Sequence, residues 1–576
     1  MIVKMKKLTL LCTATQQEET LKKLRDLQVV HIKHVRAPEG SELEQARNHL
    51  LYVQRAKEVL QARPDADPTG KDAHHLVDTV WKLIHKEKEL KESLQALEHE
   101  HERIQPFGDF EPRDIEKLNE QGLFVKLYEL PVKNPPEIPE GVAVNEISAD
   151  KTLTYVLAVG RSEFSIPAHE VRLPDQSLTR IEHHIEKTKA ELEETEAEFQ
   201  KYAGDKHLVE QIVSEAQDGV TFLEVRAGMG KESIVTYLSG FYPVDRETDI
   251  VSAAEENGWG YKIEEVSSDD EPPTLLRNPK WVQTIKPVLD MVNLMPGYNE
   301  VDISPLFLIF FSLFFGILVG DAGYGAIFLA VTTWARFKFK KAPRVTFNLL
   351  TVTSISTITW GALTGVWFGI LNLPAPLKQL QVTWLSDYYN MMGFCFVVGA
   401  VHITLAHLWK AWILRKTPQF IAQIGWIGST WAMLFVALNM VCNTPFPKFF
   451  LPLISVSVVL IVIFMTPPAQ LKAKWIDHGM LFQDLINNFV DVFSYVRLFA
   501  VGLATFEVAK AFNGMANGII APLVLLVGHT LNIAMAVMGV MVHGLRLNAL
   551  EFSSHIGVEW KGNKFTPFSK IATKND

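Results

Sequence analysis

The chain has 576 residues, a mean hydropathy of +0.09 and a formal net charge of −9. These averages conceal a division near residue 300, because residues 1–300 carry a net charge of −18 and residues 301–576 carry +9. Three widely separated cysteines without a CxxC pair argue against a disulfide framework and against a zinc site. An acidic half followed by an apolar, slightly basic half predicts a soluble domain at 1–300 and a membrane domain at 301–576.

The first half is predicted to be an α+β arm. Residues 7–34 have a strand–helix–strand pattern. Heptad-spaced apolar residues at about 42–105 and 177–216 predict an antiparallel coiled coil with a globular tip, and an ordinary helical bundle is the alternative. The strand-like segments VTFLEVRAG (220–228) and IVTYLSGFYPV (234–244) would complete an α/β lobe near the membrane. Polar residues from Gln16 onward interrupt any signal peptide, so we expect this arm in the cytoplasm.

Neither a nucleotide site nor a metal site is predicted. The segment GMGK (228–231) is not a phosphate loop, because Glu232 stands where Ser or Thr would bind magnesium and a first glycine is missing. The paired histidines His74–His75 and His183–His184 have no further ligands at metal-binding spacing. We therefore expect no catalytic residues, no cofactor, no metal and no nucleic-acid partner.

The second half is predicted to cross the membrane eight times. Basic residues concentrate in three loops and in the tail at 561–570, which the positive-inside rule places in the cytoplasm. This placement requires 304–335 to be a hairpin that turns at GDAGYG (320–325). Asp321 is expected to cap the turn, and the alternative is that it faces a water-filled half-channel. Both termini are then cytoplasmic, and the last two helices are long enough to require a tilt. The seven apolar segments are 304–335, 345–370, 388–410, 421–442, 449–466, 480–513 and 519–550, and the three basic loops are 336–344, 410–416 and 471–474.

Arg497 lies inside one of these last helices. An arginine at mid-membrane costs from about 2.5 to over 10 kcal/mol, so it needs a counter-charge or a water-filled path. One explanation is a permanent internal acid, for which Asp491 and Glu507 are the candidates, although neither lies directly over Arg497 on an ideal helix. The other explanation is a carboxylate on another chain that changes its ionisation while the guanidinium stays charged.

Several motifs resemble one known family. SYVRLFAVGLA (494–504), VHGLRLNALEF (542–552) and GNKFTPF (562–568) resemble the last two helices and tail of the membrane stator subunit of rotary V-type and A-type ATPases. This subunit is called subunit a in eukaryotes and subunit I in bacteria and archaea. FFGILVGDAGYG (314–325) and GAVHITLA (399–406) also agree, and the resemblance extends over essentially the whole chain.

The resemblance implies a set of ion-translocation residues. Arg497 matches the family's arginine, which faces the carboxylate of the rotating proteolipid ring. Arg546 matches the second arginine, His543 the histidine three residues before it, and Glu551 the acid five residues after it.

Two positions depart from the eukaryotic pattern. Thr505 and Ala536 stand where that pattern has His and Glu. Glu507 is therefore a substitute candidate for lining a half-channel, and the alternative is an interfacial charge paired with Lys510. His402 is expected to be a packed polar residue, with a role as a proton relay as the alternative.

The implied function is to pass H⁺ or Na⁺ through offset half-channels to and from the proteolipid c/K ring. The implied partners are peripheral-stalk subunits of E/G type, central-rotor and ring-cap subunits, and the lipid bilayer, in the plasma membrane of a bacterium or archaeon. One alternative is a secondary ion transporter with a regulatory arm, which would have repeated helices and a mid-membrane substrate site. A second alternative is a purely structural membrane anchor.

Overall fold

The computed structural model describes residues 1–64, 66, 73–267, 269–340, 342–467, 472 and 475–571. The side chain of His74, Lys341 of the first basic loop, and the third basic loop apart from Lys472 lie outside the described residues.

The arm contains two separate antiparallel sheets joined by long helices. Its strands are β1 (Met5–Thr13), β2 (His31–Lys33), β3 (Phe124–Pro131), β4 (Val142–Ala149), β5 (Leu153–Gly160), β6 (His169–Val171), β7 (Gly230–Glu232), β8 (Val235–Pro243) and β9 (Gly260–Glu265). Its helices are α1 (Gln17–Leu27), α2 (Ser41–Gln61), α3 (Ala73–Ile104), α4 (Pro112–Glu120), α5 (Leu178–Tyr202), α6 (Lys206–Gly228), α7 (Glu247–Asn257) and α8 (Lys286–Met291).

The base lobe is built from both ends of the arm. Its sheet has the order β2-β8-β1-β9, with β7 paired to β8, and β1 pairs with β8 along its full length. Leu8 and Leu10 of β1 alternate with more exposed residues and pack against Leu21 and Leu24 of α1. The chain therefore leaves this lobe after β2 and returns to it at β7. The tip carries the second sheet, of order β4-β5-β3-β6.

Two helix pairs connect the base lobe to the tip. Helix α2 packs on α6, and α3 packs on α5. Along the ion pairs that join the outgoing and returning helices, residue numbers rise on one helix and fall on the other. The helix pairs are therefore antiparallel. The ion pairs are Glu42–Arg226, Arg47–Glu224, Lys57–Glu210, Arg63–Glu196, Glu98–Lys189 and His101–Glu182.

The prediction of a strand at VTFLEVRAG was wrong, because residues 220–228 are the last turns of α6. Val220 packs beside Leu43 and Leu50 of α2, whereas Val225 enters the core of the base lobe. β-Branched residues favour strands only where the surrounding packing agrees, and here contact with α2 decides for the helix.

The C-terminal tail is part of the base lobe. The Phe568 side chain is 4% exposed and lies in the same core as Leu8 and Leu10. Its amide donates to the Val30 carbonyl at 2.8 Å, and the Thr274 amide donates to Asn563 at 2.7 Å. The end of the membrane domain is thereby fixed directly to the arm.

Replacing Phe568 by Ala should destabilise this docking by about 3–5 kcal/mol, as for other buried Phe→Ala changes. The measurement is hydrogen exchange of the backbone amide at position 568 in the full chain. Protection of this amide should fall in the variant. Exposed Lys570, changed to Ala, is the matched control and should leave protection unaltered. Equal protection in both variants would contradict the docking.

His31 makes the docking sensitive to pH. Burial lowers the pKa of His31 below its ordinary 6.5, a bond to the Thr566 backbone raises it in part, and His34 lowers it further. The unfolded chain then binds more protons than the folded one as pH falls through about 6.5, so this stabilisation is present above that pH and decreases below it. Protection of the Thr566 amide, corrected for intrinsic exchange, should decline from about pH 7.5 to about pH 5.5. The decline should be absent in the His31→Gln variant.

The membrane half consists of apolar helices. Among the described residues, four helical stretches are long and apolar enough to cross a membrane: Tyr388–Ile413, Gln419–Cys442, His478–Met515 and Gly518–Ile556. The helices are α9 (Ser304–Val319), α10 (Ala322–Lys338), α11 (Arg344–Thr364), α12 (Ala375–Lys378), α13 (Tyr388–Ile413), α14 (Gln419–Cys442), α15 (Phe450–Phe464), α16 (Trp475–Phe493), α17 (Val496–Met515), α18 (Ala521–Gly539) and α19 (Ser553–Ile556), with π-helical segments Val540–Gly544 and Leu547–Phe552 between the last two.

Asp321 caps the turn between α9 and α10, as predicted. Its carboxylate accepts from the amides of Gly323 at 2.8 Å and Tyr324 at 3.2 Å. It also accepts from Phe368 at 2.9 Å and Gly369 at 3.2 Å, in the loop after α11. One buried acid therefore joins the hairpin to a second loop, which satisfies four backbone donors that would otherwise be costly to bury.

Candidate functional site

Arg497 lies at the start of α17, directly after a break in the long helical stretch at Ser494 and Tyr495. Its Nε donates to the Ser494 carbonyl at 2.9 Å, and its Nη2 donates to Glu551 Oε1 at 2.6 Å. The guanidinium thus caps the end of α16 and at the same time forms an ion pair with the last helical stretch.

Glu551 serves two arginines. Its side chain is 6% exposed, and Oε1 lies 3.4 Å from Arg546 Nε as well as 2.6 Å from Arg497. The second oxygen, Oε2, is buried and has no hydrogen-bond partner among the described residues. An ionised carboxylate has lone pairs on both oxygens, so one side of Glu551 is left able to receive a donor.

The three residues of the last helix lie in irregular helix. His543 and Glu551 belong to the two π-helical segments, and Arg546 lies between them. His543 Nδ1 is also buried without a partner among the described residues. Such π-helical turns are frequent at functional sites, because they rotate side chains out of the regular helical positions.

Neither candidate for an internal partner of Arg497, Asp491 or Glu507, contacts it in the structure. Asp491 Oδ2 lies 3.0 Å from His555 Nε2, and Glu507 lies 3.1 Å from Lys510. The partner that the structure provides is Glu551, 54 residues further along the chain. The family motif points to Glu551 but does not state which side chain this acid faces.

A packed histidine supports the helix break. His402 is fully buried between the rings of Phe310 and Phe552, at centroid distances of 3.8 and 4.2 Å, and its Nδ1 lies 2.8 Å from the Tyr495 hydroxyl. The Tyr495 ring lies so close to Gly399 that a Cβ there would be 2.4 Å from it. His402 is therefore the packed polar residue that was expected, and it holds the turn from which Arg497 projects.

Polar cavities approach Arg497 from one end of the membrane domain. One, of 490 Å³, is lined by His407, Asp484, Asp491 and His555 among others. A second, of 580 Å³, is lined by Asp491, Arg546, Glu551 and Lys561 among others. Since Lys561 begins the tail, we call these two the tail-side cavities.

A further cavity lies along the first half of α17, and its lining begins at Leu498, next to Arg497. It has a volume of 240 Å³ and is lined by residues that include Gln381, Tyr388, Gly502 and Phe506. Tyr388, in the lining of this cavity, begins α13. Lys410, near the other end of α13, donates to the carbonyl of His555 beside a tail-side cavity. We therefore call this third cavity the far-side cavity. Along α16 and α17, Arg497 lies between the residues that line the tail-side cavities and those that line the far-side cavity.

The last two helical stretches are sparsely covered. In each stretch, 22% of the most apolar segment is buried inside the protein, compared with 50% in α13 and 44% in α14. Such a large uncovered apolar face must contact lipid or another protein.

These features define a polytopic membrane protein with an α+β arm and an arginine–carboxylate centre in its last two helical stretches. The chain is 28% identical to the V-type ATP synthase subunit I of Borreliella burgdorferi, over 99% of this chain and 100% of that protein. It is also 28% identical to V-type ATP synthase subunit I 1 of Treponema pallidum, again over 99% and 100%. The chain is therefore a homologue of subunit I, as the motifs predicted.

A further relative matches less of the chain. The A-type ATP synthase subunit I of Methanocaldococcus jannaschii is 29% identical over 69% of this chain and 64% of that protein. A solved structure, the cytoplasmic N-terminal domain of subunit I of V-ATPase, is 17% identical over 45% of this chain and 99% of that chain, with a TM-score of 0.23. That score is too low to compare the two arrangements. No protein-family model matches the chain.

Proposed function

We propose that this chain is the membrane stator subunit of a rotary V/A-type ATPase and couples ion flow to rotation of a proteolipid ring. The observation that carries the proposal is the Arg497–Glu551 pair, placed between polar cavities at the sparsely covered face of the last two helical stretches. The uncovered face is where the c/K ring would pack. ATP chemistry would belong to partner subunits, so this chain is a non-catalytic subunit.

In this proposal the cavities would form two offset half-channels. The tail-side cavities, which contain Asp491 and Glu551, would open to the cytoplasm, and the far-side cavity would open to the exterior. Glu507 lies near that outer end, where it contacts Tyr388 and Lys510, and would line the exit. An ion would enter one half-channel, neutralise a ring carboxylate, travel with the ring through lipid, and leave by the other.

Arg497 would keep the half-channels apart. Its side chain is 22% exposed, so it remains accessible from the face where a ring carboxylate passes. A fixed positive charge favours the ionised form of that carboxylate and releases its ion. As the ring carboxylate arrives, it would compete with Glu551 for the guanidinium, and Arg546 would retain Glu551 during the exchange.

The tail supports a topology with both termini in the cytoplasm. Because Phe568 is buried in the base lobe, the arm and the C-terminus lie on the same side of the membrane, which requires an even number of crossings. Eight crossings meet this condition, with α9 and α10 as a short hairpin and each of the last two stretches crossing once. The boundary near residue 300 would separate the cytoplasmic arm from the membrane domain. The membrane would be the plasma membrane of a bacterium or archaeon.

The arm would connect the membrane domain to the rest of the complex. Its antiparallel helix pairs, a coiled coil in this proposal, would carry the tip sheet away from the membrane. The arm would bind the peripheral stalks of E/G type, which keeps the stator from turning, while central-rotor and ring-cap subunits turn with the ring.

One substitution separates this function from a secondary transporter or a structural anchor. Replacing Arg497 by Ala should leave an assembled complex without ATP-driven ion transport, whereas an anchor would tolerate the change.

A further inference from the structure

A second polar cluster lies on the far side of Arg497, between α10, α17 and α18. The Tyr324 hydroxyl lies 2.7 Å from His529 Nδ1, and Asn532 Nδ2 donates to the same hydroxyl at 3.0 Å. His529 Nε2 lies 3.2 Å from Asn513 Oδ1. Thr505 carries the backbone carbonyl that accepts from Asn532 at 2.8 Å, and it is eight residues, or about 12 Å of helix, beyond Arg497.

The hydrogen bonds determine which ring nitrogen carries the proton. Asn513 Nδ2 donates to the Phe368 carbonyl at 2.7 Å, so its Oδ1 is the atom that faces His529. An amide oxygen accepts only, and Nε2 of the neutral ring must therefore be the donor. Nδ1 is then unprotonated and accepts from the Tyr324 hydroxyl. A neutral imidazole with an acceptor nitrogen against a hydroxyl is prepared to take up a proton.

The cluster has an unused acceptor and a connection to the far-side cavity. Asn532 is 1% exposed, and its Oδ1 has no hydrogen-bond partner among the described residues, so this oxygen can accept a hydrogen bond from a water molecule. The Thr505 hydroxyl reaches the Leu318 carbonyl at 3.4 Å, and the neighbouring residues Ile317 and Gly320 line the far-side cavity.

The other charged groups on the packed elements are already engaged. Asp321, at the start of α10, accepts from four backbone amides. On α17, Arg497 is held by Glu551, and Glu507 and Lys510 pair with each other. Neither Asp321 nor Glu507 bonds to the imidazole, so within this cluster the imidazole of His529 is the side chain equipped to exchange a proton with the Tyr324 hydroxyl.

We infer that His529 carries protons through the outer half-channel and that Tyr324 delivers them to it. This inference rests on the proposed function. The Tyr324 hydroxyl gives its proton to Nδ1 and takes one from water on the inner side. The imidazolium then releases its Nε2 proton to water on the outer side, and a half-turn of the neutral ring brings its unprotonated nitrogen back to Tyr324. The cluster occupies the region of Thr505 and Ala536, where the eukaryotic His and Glu are absent. The transported ion is accordingly H⁺, because an imidazole does not carry Na⁺ in this way.

The test uses the whole complex in inside-out vesicles, in which the outer face meets the lumen. His529→Gln keeps hydrogen-bonding groups but cannot be protonated, and pumping should fall on the order of 100-fold, the lower end of the range for a positioned acid or base. The dependence of the rate on luminal pH should also disappear. Tyr324→Phe, which removes one hydroxyl and keeps the ring, should slow pumping in the same direction, so the inference stays testable even if His529→Gln fails to assemble.

His478 on α16 provides the matched control. Its Nε2 contacts the backbone carbonyl of Val462, away from this cluster. His478→Gln should pump normally. Wild-type pumping by His529→Gln, slower pumping with an unchanged luminal pH profile, or an absolute need for sodium would each overturn the inference. If Arg497→Ala abolishes pumping while His529→Gln does not affect it, the stator function stands and the inference on His529 alone fails.

Discussion

A complex that carries Arg497→Ala is expected to assemble and hydrolyse ATP but to move no ions in response. Without the guanidinium, Glu551 loses the donor at 2.6 Å, and a passing ring carboxylate has no fixed charge to release its ion. Loss of transport should be on the order of 100-fold or more, as when a preorganised charge-stabilising donor is removed from a reaction centre. The measurement is ATP-driven acidification or ion uptake in vesicles, with ATP hydrolysis assayed in parallel.

Two companion variants sharpen this result. Arg497→Lys should also fail, because an ammonium is a compact point charge and cannot contact the Ser494 carbonyl and Glu551 with the same planar geometry. Arg336→Ala is the matched control, since that arginine lies exposed at the end of α10 and contacts Asn348. Normal pumping by Arg497→Ala would refute the stator mechanism.

The second large effect is expected at Glu551. Replacing it by Leu leaves Arg497 without its internal counter-charge, and breaking a buried ion pair in this way costs about 3–5 kcal/mol. The free energy of unfolding, or the melting temperature of the purified chain in detergent, should fall correspondingly. Glu507→Leu is the control for stability: that acid is 44% exposed, and its pair with Lys510 should contribute only about 0–1 kcal/mol.

A double variant distinguishes loss of the pair from loss of packing. Arg497→Met combined with Glu551→Leu removes both charges, so the chain should be less destabilised than the sum of the two single changes. Strictly additive effects would show that the two side chains are not coupled, which would contradict the ion pair.

Local patterns in the sequence predicted the division of the molecule near residue 300 and identified the homology to subunit I. The change of charge near residue 300, the apolar segments and the motif around Arg497 depend on residues close together in the chain, where periodicity and composition carry the information. The homology to subunit I is confirmed on that basis. The cap at Asp321 was predictable too, because a hairpin turn between two apolar helices needs an acceptor for its first amides.

Tertiary structure decided the contacts between distant parts of the chain. The partner of Arg497 is 54 residues away, and it reaches the arginine because a break at Ser494–Tyr495 and two π-helical segments rotate both side chains off the ideal helical positions. Burial of Phe568 among Leu8 and Leu10 and the bond from Tyr324 to His529 likewise join segments more than 200 residues apart. Such contacts depend on how helices and sheets pack against each other. The order of residues along a single helix does not specify that packing.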